Sequence, residues 1–202
     1  MQTIVVDPYA PRYPDLAEVA AAVRAGGVMV YPTDTIYGIG CDVYQPKALK
    51  KIETAKERDA GKPFSFVCRD VAQISEFAFV SNWTYRLMTR LLPGPYTFVL
   101  EARRTNLPKK MVGKRNTVGV RIPDNDVCRT LVELIGTPLV STSLNRAGES
   151  PVADLADIPP ELARHIDVAI DVGPLLGDPS TVIDATGPAP VVLRQGAGPV
   201  EF

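Results

Sequence analysis

Histidine is almost absent from this chain, whose 202 residues include His165 and no other. A catalytic triad or a histidine-rich metal centre would have to use that residue, which we interpret as structural because it stands between a predicted helix and a predicted strand. The three cysteines, Cys41, Cys68 and Cys128, form no Cys-x-x-Cys pair, which argues against a zinc ribbon. Their odd number argues against a disulfide framework, and we expect reduced, buried thiols and a cytoplasmic location.

Long apolar runs and the common nucleotide-binding motifs are missing as well. No apolar run approaches the roughly 18 residues of a membrane span, and the N-terminus lacks the pattern of a signal peptide, so we expect no membrane partner. There is no G-x-x-x-x-G-K-[ST] sequence, and Gly38-Ile39-Gly40 is too short to indicate a dinucleotide fold. A net charge of −1 gives no overall electrostatic sign of a nucleic-acid binder.

The composition that remains is that of an ordinary globular protein, with 46% hydrophobic and 22% charged residues. The length predicts a single domain over residues 1–202. Segments typical of strands alternate with segments typical of helices, which predicts an α/β fold with a mixed sheet and flanking helices. Within it we expect Asp15 to cap a helix that runs to about Ala25.

The stretch from Tyr31 to Cys41, YPTDTIYGIGC, is the centre of the functional prediction. It follows a short buried strand, and it places two threonines, an aspartate and a tyrosine near the strand end. Gly38 and Gly40 would let the backbone fold back tightly or let a ligand approach it. The alternative is that Pro-Thr-Asp forms only a local side-chain turn.

Other predicted strands also end in polar loops, at 141–145, 179–184 and 191–196, and the segment 56–62 carries three cations. Hydroxyls, an amide and fixed cations at one crevice would suit an anionic, phosphate-bearing ligand. The hydroxyls could instead cap turns, and 56–62 could be a solvated helix end. Arg194 is harder to explain in that way, because it ends an apolar strand and a buried cation needs a partner.

Six motifs, taken in order, resemble the YrdC/YciO family over residues 15–197. They are PTDTIYGIGCD, KERDAGKP, VGVRIP, STSLN, STVID and VVLRQG. Two further stretches, KPFSFVCRD and RLMTRLLPGPYTFVL, resemble the YciO branch more than the main synthase branch. The resemblance implies a YrdC-like fold, a twisted mixed sheet with a large, concave, positively charged cleft.

The resemblance also implies synthesis of L-threonylcarbamoyladenylate from L-threonine, bicarbonate and ATP, with release of pyrophosphate. ATP would enter with Mg²⁺ held by its phosphates, and the resemblance implies no tightly bound cofactor and no protein metal site. The product would pass to a downstream tRNA threonylcarbamoyl transferase for modification of adenosine 37 in tRNA.

The family's functional residues are carried over by motif. Lys56 and Arg58 match its K-x-R pair, and Ser143 and Asn145 its S-x-N pair; these four resemble the group that binds the ATP phosphates and supports catalysis. Thr33 and Tyr37 resemble threonine-side contacts. The remaining expected contacts to ATP or to the threonylcarbamoyl group are Lys62, Ser141, Ser180 and Arg194.

Two positions depart from the main-branch pattern. Val67 stands where that branch usually has histidine, and Arg146 follows Asn145 where it usually has a small residue. Three hypotheses therefore stay open: the synthase, a YciO-type nucleotide- or RNA-binding protein with weak or absent threonine chemistry, and a structural partner protein. The basic connector 103–115 could contact RNA or tRNA phosphates, although the near-zero net charge favours an exposed loop.

Overall fold

The computed structural model describes residues 1–57, 64–104, 107, 116–146 and 148–200. It confirms the predicted α/β class with a large mixed sheet. The described strands are β1 (Gln2–Val5), β2 (Met29–Tyr31), β3 (Gly38–Asp42), β4 (Ser65–Val67), β5 (Tyr96–Glu101), β6 (Thr117–Arg121), β7 (Leu139–Ser143), β8 (Val168–Asp171), β9 (Thr181–Asp184) and β10 (Val191–Arg194). The described helices are α1 (Tyr13–Arg24), α2 (Pro46–Ala55), α3 (Val71–Phe77), α4 (Asn82–Leu91), α5 (Asp126–Ile135) and α6 (Pro160–Ala163), with a 3₁₀ turn at Leu155–Asp157.

The ten strands described form one sheet in the order β1-β8-β2-β3-β7-β4-β6-β5-β9-β10. The sheet is mixed, with parallel pairs such as β4–β6 and β5–β9 and antiparallel pairs such as β3–β7 and β6–β5. The central strands are short, and most of their side chains are buried. At β2 both faces of the sheet are covered, with Val30 in the apolar core on one face and Met29 and Tyr31 in that on the other.

Helices cover the two faces of the sheet unequally. On one face, α2, α3 and α4 pack over side chains that include Phe66, Phe98 and Val140. On the other face, α1 and α5 pack over Val67 and Leu139. Because neighbouring residues of a strand point to opposite faces, this second face continues along β7, β6 and β5 beyond the two helices. The uncovered part of that face becomes the floor of a cavity.

Helix α5 has the usual capping residues at both ends, whereas α1 does not begin at the predicted cap. At α5, the side chain of Asn125 accepts a hydrogen bond from the backbone N–H of Cys128 at 2.9 Å, and Gly136 ends the helix with a φ of +83°. At α1 the prediction that Asp15 is the cap is wrong. The helix begins two residues earlier, and Asp15 pairs with Arg12 at 2.9 Å in the first turn.

Strand β3 is the element that the sequence pattern did not predict, because its two glycines resemble turn residues. The segment is a fully buried central strand, and the glycines make room for the ring of Tyr31 on the neighbouring β2. A Cβ at Gly38 would lie 3.0 Å from the Tyr31 ring, and one at Gly40 would lie 3.1 Å from it and 2.5 Å from the carbonyl oxygen of Val140. The glycines thus allow close packing within the sheet.

None of the helices described is both long and apolar enough to cross a membrane.

The packing of β3 predicts that Gly40→Ala lowers the free energy of unfolding by about 1–3 kcal/mol, because its methyl group would overlap Val140 and the ring of Tyr31. Urea unfolding followed by circular dichroism measures the change. Gly187→Ala is the matched control, since the nearest atom to its Cβ would be 3.9 Å away, and we expect a change within about 0.5 kcal/mol. Equal stabilities for the two variants would contradict this account of β3.

Candidate ligand-binding cavity

An open cavity of about 400 Å³ lies over the uncovered floor of the sheet. Strands β7, β4, β6, β5 and β9 supply the floor, and the loops after β2, β7 and β8 supply walls. Hydroxyl side chains dominate the polar lining: Thr33, Tyr37, Ser65, Thr97, Thr117, Ser141, Thr142, Ser143 and Ser180. The charged and amide groups of the lining are Arg121, Arg194, Glu149 and Asn145. The volume lies within the range of small-molecule sites.

Arg121, at the end of β6, is the most deeply placed charge of the cavity. Its residue is 8% exposed, and one terminal nitrogen donates to Asp34 at 2.8 Å and to the hydroxyl of Thr35 at 3.2 Å. The second oxygen of Asp34 accepts the backbone N–H of Asp124 at 3.0 Å, so the carboxylate is held from two sides. Within the described residues, the buried Nε of Arg121 has no hydrogen-bond partner. A ligand oxygen in the cavity could satisfy that donor.

Arg194 lies on β10, an edge strand, and not in the buried position that its apolar neighbours suggest. Its guanidinium donates to the carbonyl oxygen of Ser180 at 2.7 and 3.2 Å and lines the cavity. Partial burial, and secondly the positive charge of Arg121, lowers the pKa of Arg194. No carboxylate pairs with Arg194 among the residues described, so the cavity holds a guanidinium that an anion could neutralise.

Lys56, Ser143 and Asn145, predicted from two separate motifs, meet in one hydrogen-bonded group. The ammonium of Lys56 donates to the carbonyl oxygen of Ser143 at 2.7 Å and to Oδ1 of Asn145 at 2.5 Å. The Ser143 hydroxyl donates to the same Oδ1 at 2.6 Å. The amide nitrogen of Asn145 donates to the carbonyl oxygen of Glu149 at 2.6 Å, which fixes the orientation of the amide. Lys56 is 5% exposed and lies behind the two residues that face the cavity.

Thr33 and Tyr37 line the cavity, but their hydroxyls are engaged by the protein. The Thr33 hydroxyl donates to the carbonyl oxygen of Ile36 at 2.7 Å and accepts backbone N–H groups of its own loop. These bonds form the local side-chain turn that the sequence left open as an alternative to a ligand contact. The Tyr37 hydroxyl donates to the carbonyl oxygen of Gly173 at 2.7 Å and accepts the N–H of Val172 at 3.0 Å. Burial is the largest cause of a raised Tyr37 pKa.

Ser180 and Ser141 lie on opposite sides of the floor. Ser180 is 4% exposed, and its hydroxyl shares a 2.8 Å hydrogen bond with that of Thr97. Ser141, at 6% exposure, accepts a hydrogen bond from the hydroxyl of Tyr31 at 2.5 Å.

The structure does not describe the remaining predicted site residues, Arg58 and Lys62. Most of the basic connector 103–115 also lies outside the described residues.

Sequence reasoning missed Arg121, Asp34 and the floor residue Ser65. One signal was available for Arg121, because a charged residue closes the otherwise apolar strand TVGVR within a quoted motif. Asp34 stood within the PTDT motif, but its partner is 87 residues away in the chain. No local pattern identifies Ser65, which faces the cavity only because its neighbour Phe66 faces the core.

The structure also places the two departures from the family pattern. Val67 is 1% exposed and packs in the apolar group formed with α1 and α5, away from the residues that line the cavity. Arg146 lies at the cavity edge, where it donates to both carboxylate oxygens of Glu57 at 3.0 and 3.1 Å. It also approaches Glu161 at 3.7 Å and Glu149 at 4.0 Å.

Thiol and imidazole groups are absent from the described lining of the cavity. Burial raises the pKa of Cys41 to about 12, and it raises the pKa of Cys68 and Cys128 as well, so these thiols are poor nucleophiles at neutral pH. What the described cavity offers is the guanidinium of Arg194 without a carboxylate partner, the unpartnered Nε of Arg121 and a set of hydroxyls, which suit the binding and orientation of an anion.

A hydroxyl-lined cavity on a mixed sheet makes this an α/β protein with a candidate small-molecule site, and sequence comparison specifies the family. Residues 21–196 match the Sua5/YciO/YrdC family model, whose description reads "Telomere recombination". The chain belongs to that family.

Individual relatives agree with the assignment. The chain is 37% identical over 202 residues to the uncharacterized protein YciO of Escherichia coli K12, and the match covers 99% of this chain and 98% of the relative. It is 36% identical over 169 residues to the threonylcarbamoyl-AMP synthase of Thiobacillus denitrificans, covering 83% of this chain and 89% of that protein.

Solved structures show the same fold. The E. coli YciO crystal structure matches with a TM-score of 0.92 at 36% identity, over 99% of this chain and 98% of that one. The P. abyssi Sua5 structure complexed with L-threonine matches with a TM-score of 0.89 at 30% identity, over 97% of this chain and 58% of that longer chain. The fold implied by the motifs is therefore confirmed.

The geometry of the Arg121 pair predicts that Asp34→Asn lowers the free energy of unfolding by about 3 kcal/mol. Both side chains are at most 10% exposed, and removing one charge would leave the other buried without compensation. Urea unfolding at neutral pH measures the loss. Glu53→Gln, which breaks an exposed pair with Lys50, is the control and should cost less than about 1 kcal/mol. A loss for Asp34→Asn as small as that of the control would rule out a structural role for the pair.

Proposed function

We propose that the protein is an L-threonylcarbamoyladenylate synthase that uses L-threonine, bicarbonate and MgATP. The observation that carries the proposal is the pair of guanidinium groups, Arg121 and Arg194, at one hydroxyl-rich cavity. Arg121 keeps a buried nitrogen without a partner, and Arg194 has no carboxylate partner among the described residues. Within the described residues, Arg121 is neutralised by Asp34 but keeps a free donor, and Arg194 keeps an uncompensated charge; together they favour an anionic ligand that can accept several hydrogen bonds, as ATP and a carbamate can.

The reaction needs little from the protein beyond positioning. The amine of threonine would form a carbamate, either with carbon dioxide and loss of a proton or with bicarbonate and loss of water. An oxygen of the carbamate would then attack the α-phosphorus of ATP, and the bond to pyrophosphate would break. Because the carbamate is already anionic, no strong base is required, which fits a described cavity wall without thiol or imidazole. The contribution of the protein would be orientation and stabilisation of the charge that develops on the phosphates.

The group formed by Lys56, Ser143 and Asn145 would serve the phosphate side of this reaction. A lysine is a movable point charge, and here its ammonium is held against one carbonyl and one amide oxygen beside the cavity. Arg58 and Lys62 are proposed to act with it on the strength of the family motif alone. Mg²⁺ would be bound mainly by the phosphates of ATP.

Related proteins support the proposal by their names. A relative of 36% identity is named threonylcarbamoyl-AMP synthase, and a similar solved structure is described as complexed with L-threonine. We extend both properties to this chain as proposals, together with delivery of the product to a tRNA threonylcarbamoyl transferase. Contact with tRNA through the basic connector 103–115 is a further proposal.

A second candidate function is nucleotide binding with weak or absent threonine chemistry. Two observations favour it: the high similarity to YciO, and the apolar Val67 at a position where the main branch usually has histidine. Under this alternative, the arginines and the hydroxyls of the floor would still bind ATP, but L-threonine would bind weakly or would not react.

The product assay separates the two candidates. Pure protein is mixed with ATP, Mg²⁺, bicarbonate and L-threonine, and threonylcarbamoyl-AMP and pyrophosphate are followed by mass spectrometry. We expect a product peak that disappears when any one component is omitted. ATP binding without the acyl-adenylate would reject the synthase and support the second candidate.

The exposed position of Arg194 gives a sharper test of the anion site. Arg194→Gln should raise the Kd for MgATP by about ten- to a hundredfold, because a charge-assisted contact is lost, while the melting temperature changes little on an edge strand. Calorimetric titration and thermal unfolding measure the two effects. Arg12→Gln, which removes a charge beside α1, is the control and should leave the Kd unchanged. An unchanged Kd for Arg194→Gln would exclude Arg194 from the site.

A further inference from the structure

The tyrosine that precedes the PTDT motif reaches the cavity floor from inside the sheet. Tyr31 is fully buried on β2, opposite Gly38 of β3. Its ring lies across β3, where side chains at Gly38 or Gly40 would come within 3.0–3.1 Å of it. Gly40 in turn is paired with Ser141 of β7, so the phenol crosses one strand and ends at the next.

The Tyr31 hydroxyl ends at the hydroxyl of Ser141. It donates a hydrogen bond of 2.5 Å to the Oγ of Ser141, both groups being buried. Burial is the largest cause of a raised Tyr31 pKa, so the phenol stays protonated, and able to donate, through neutral pH.

The hydroxyl hydrogen of Ser141 is available to a ligand in the cavity. A serine hydroxyl has one hydrogen to donate, and its oxygen already accepts from Tyr31. In the part of the chain that the structure describes, Ser141 donates to no protein acceptor, although it lines the cavity. The neighbouring hydroxyls differ, since Thr33 donates to Ile36 and Ser143 donates to Asn145. Ser141 therefore keeps its hydrogen for a group that enters the cavity.

We propose that Tyr31 is a positioning residue, which holds the Ser141 hydroxyl as a hydrogen-bond donor to an oxygen of the bound anionic ligand. The inference rests on the proposed function in one respect, because the ligand is taken to be MgATP. A hydroxyl that accepts one hydrogen bond is polarised and donates a stronger one, so the phenol, the serine and the ligand form a chain in one direction. Tyr31 also fixes the rotation of Ser141 before the ligand arrives, which lowers the entropic cost of binding.

A double-mutant cycle on ATP binding tests the chain of hydrogen bonds. Tyr31→Phe keeps the ring over the glycines and removes only the hydroxyl, and Ser141→Ala removes the acceptor. We expect Tyr31→Phe to raise the Kd for MgATP by about three- to tenfold, and Ser141→Ala to raise it by at least as much. In the Ser141→Ala background, Tyr31→Phe should change the Kd by less than about twofold, because its effect passes through Ser141.

Tyr96→Phe is the matched control. The hydroxyl of Tyr96 is also part-buried and donates to the carbonyl oxygen of Pro199 at 2.9 Å, but Tyr96 does not line the cavity. Its loss should leave the Kd unchanged. The melting temperature of each variant is recorded, since a purely structural role of Tyr31 would lower that temperature without changing the Kd.

Three results would overturn the inference: an unchanged Kd for Tyr31→Phe, an equal weakening of binding with and without Ser141, or a wild-type protein that binds no ATP. If Tyr31→Phe does not fold, Ser141→Ala decides, and an unchanged Kd for that variant rejects the proposal. The product assay on the wild-type protein is read separately. An intact cycle without threonylcarbamoyl-AMP would reject the synthase alone, and product formation with additive variants would reject the role of Tyr31 alone.

Discussion

The ion pair between Arg121 and Asp34 is the interaction on which the rest of the site depends. Arg121 ends a floor strand, Asp34 lies in the loop after β2, and the second oxygen of that carboxylate holds the backbone of Asp124, two residues before α5. One carboxylate therefore connects the floor, a wall and the helix that covers the rest of the face. Because both charges are nearly buried, each needs the other, and the loop is held at the place where the cavity begins.

The parts of the fold that follow from local pattern could be predicted from the sequence. Alternating strand and helix signals indicated the α/β class, and Asn125 and Gly136 are residue types typical of the helix ends that they form at α5. Strand β3 could not be predicted in this way, since its glycines have the local signature of a turn. Their reason is the ring of Tyr31, a contact that exists only after β2 and β3 pair. Tertiary packing overrides local propensity at such a position.

The family motifs predicted which residues belong to the candidate site, but not how their side chains are oriented. The family motifs named Lys56, Ser143 and Asn145, and the structure joins the three by hydrogen bonds. A motif does not say where a hydroxyl or a charge is directed. The hydroxyl of Tyr37 is held by backbone groups 135 and 136 residues away, and Arg194 lies on an edge strand although its neighbours are apolar. Those facts depend on long-range register, which the sequence around each residue does not contain.

The two departures from the family pattern, Val67 and Arg146, lie at different places in the structure and therefore affect different properties of the site. Val67 shares a face of the sheet with Ser65, but it packs with α1 and α5, so a polar group there would have to replace apolar core packing.

Arg146 lies at the edge of the cavity. It joins Glu57, the residue after Lys56, to the loop that carries Asn145. The Lys56–Asn145 bond joins the same two segments on the inside. The carboxylates around Arg146 are more than half exposed and hence well screened, so Arg146 acts mainly on geometry. It adds a second link between the segments of Lys56 and Asn145, and it leaves Arg194 as the guanidinium of the described lining that has no carboxylate partner.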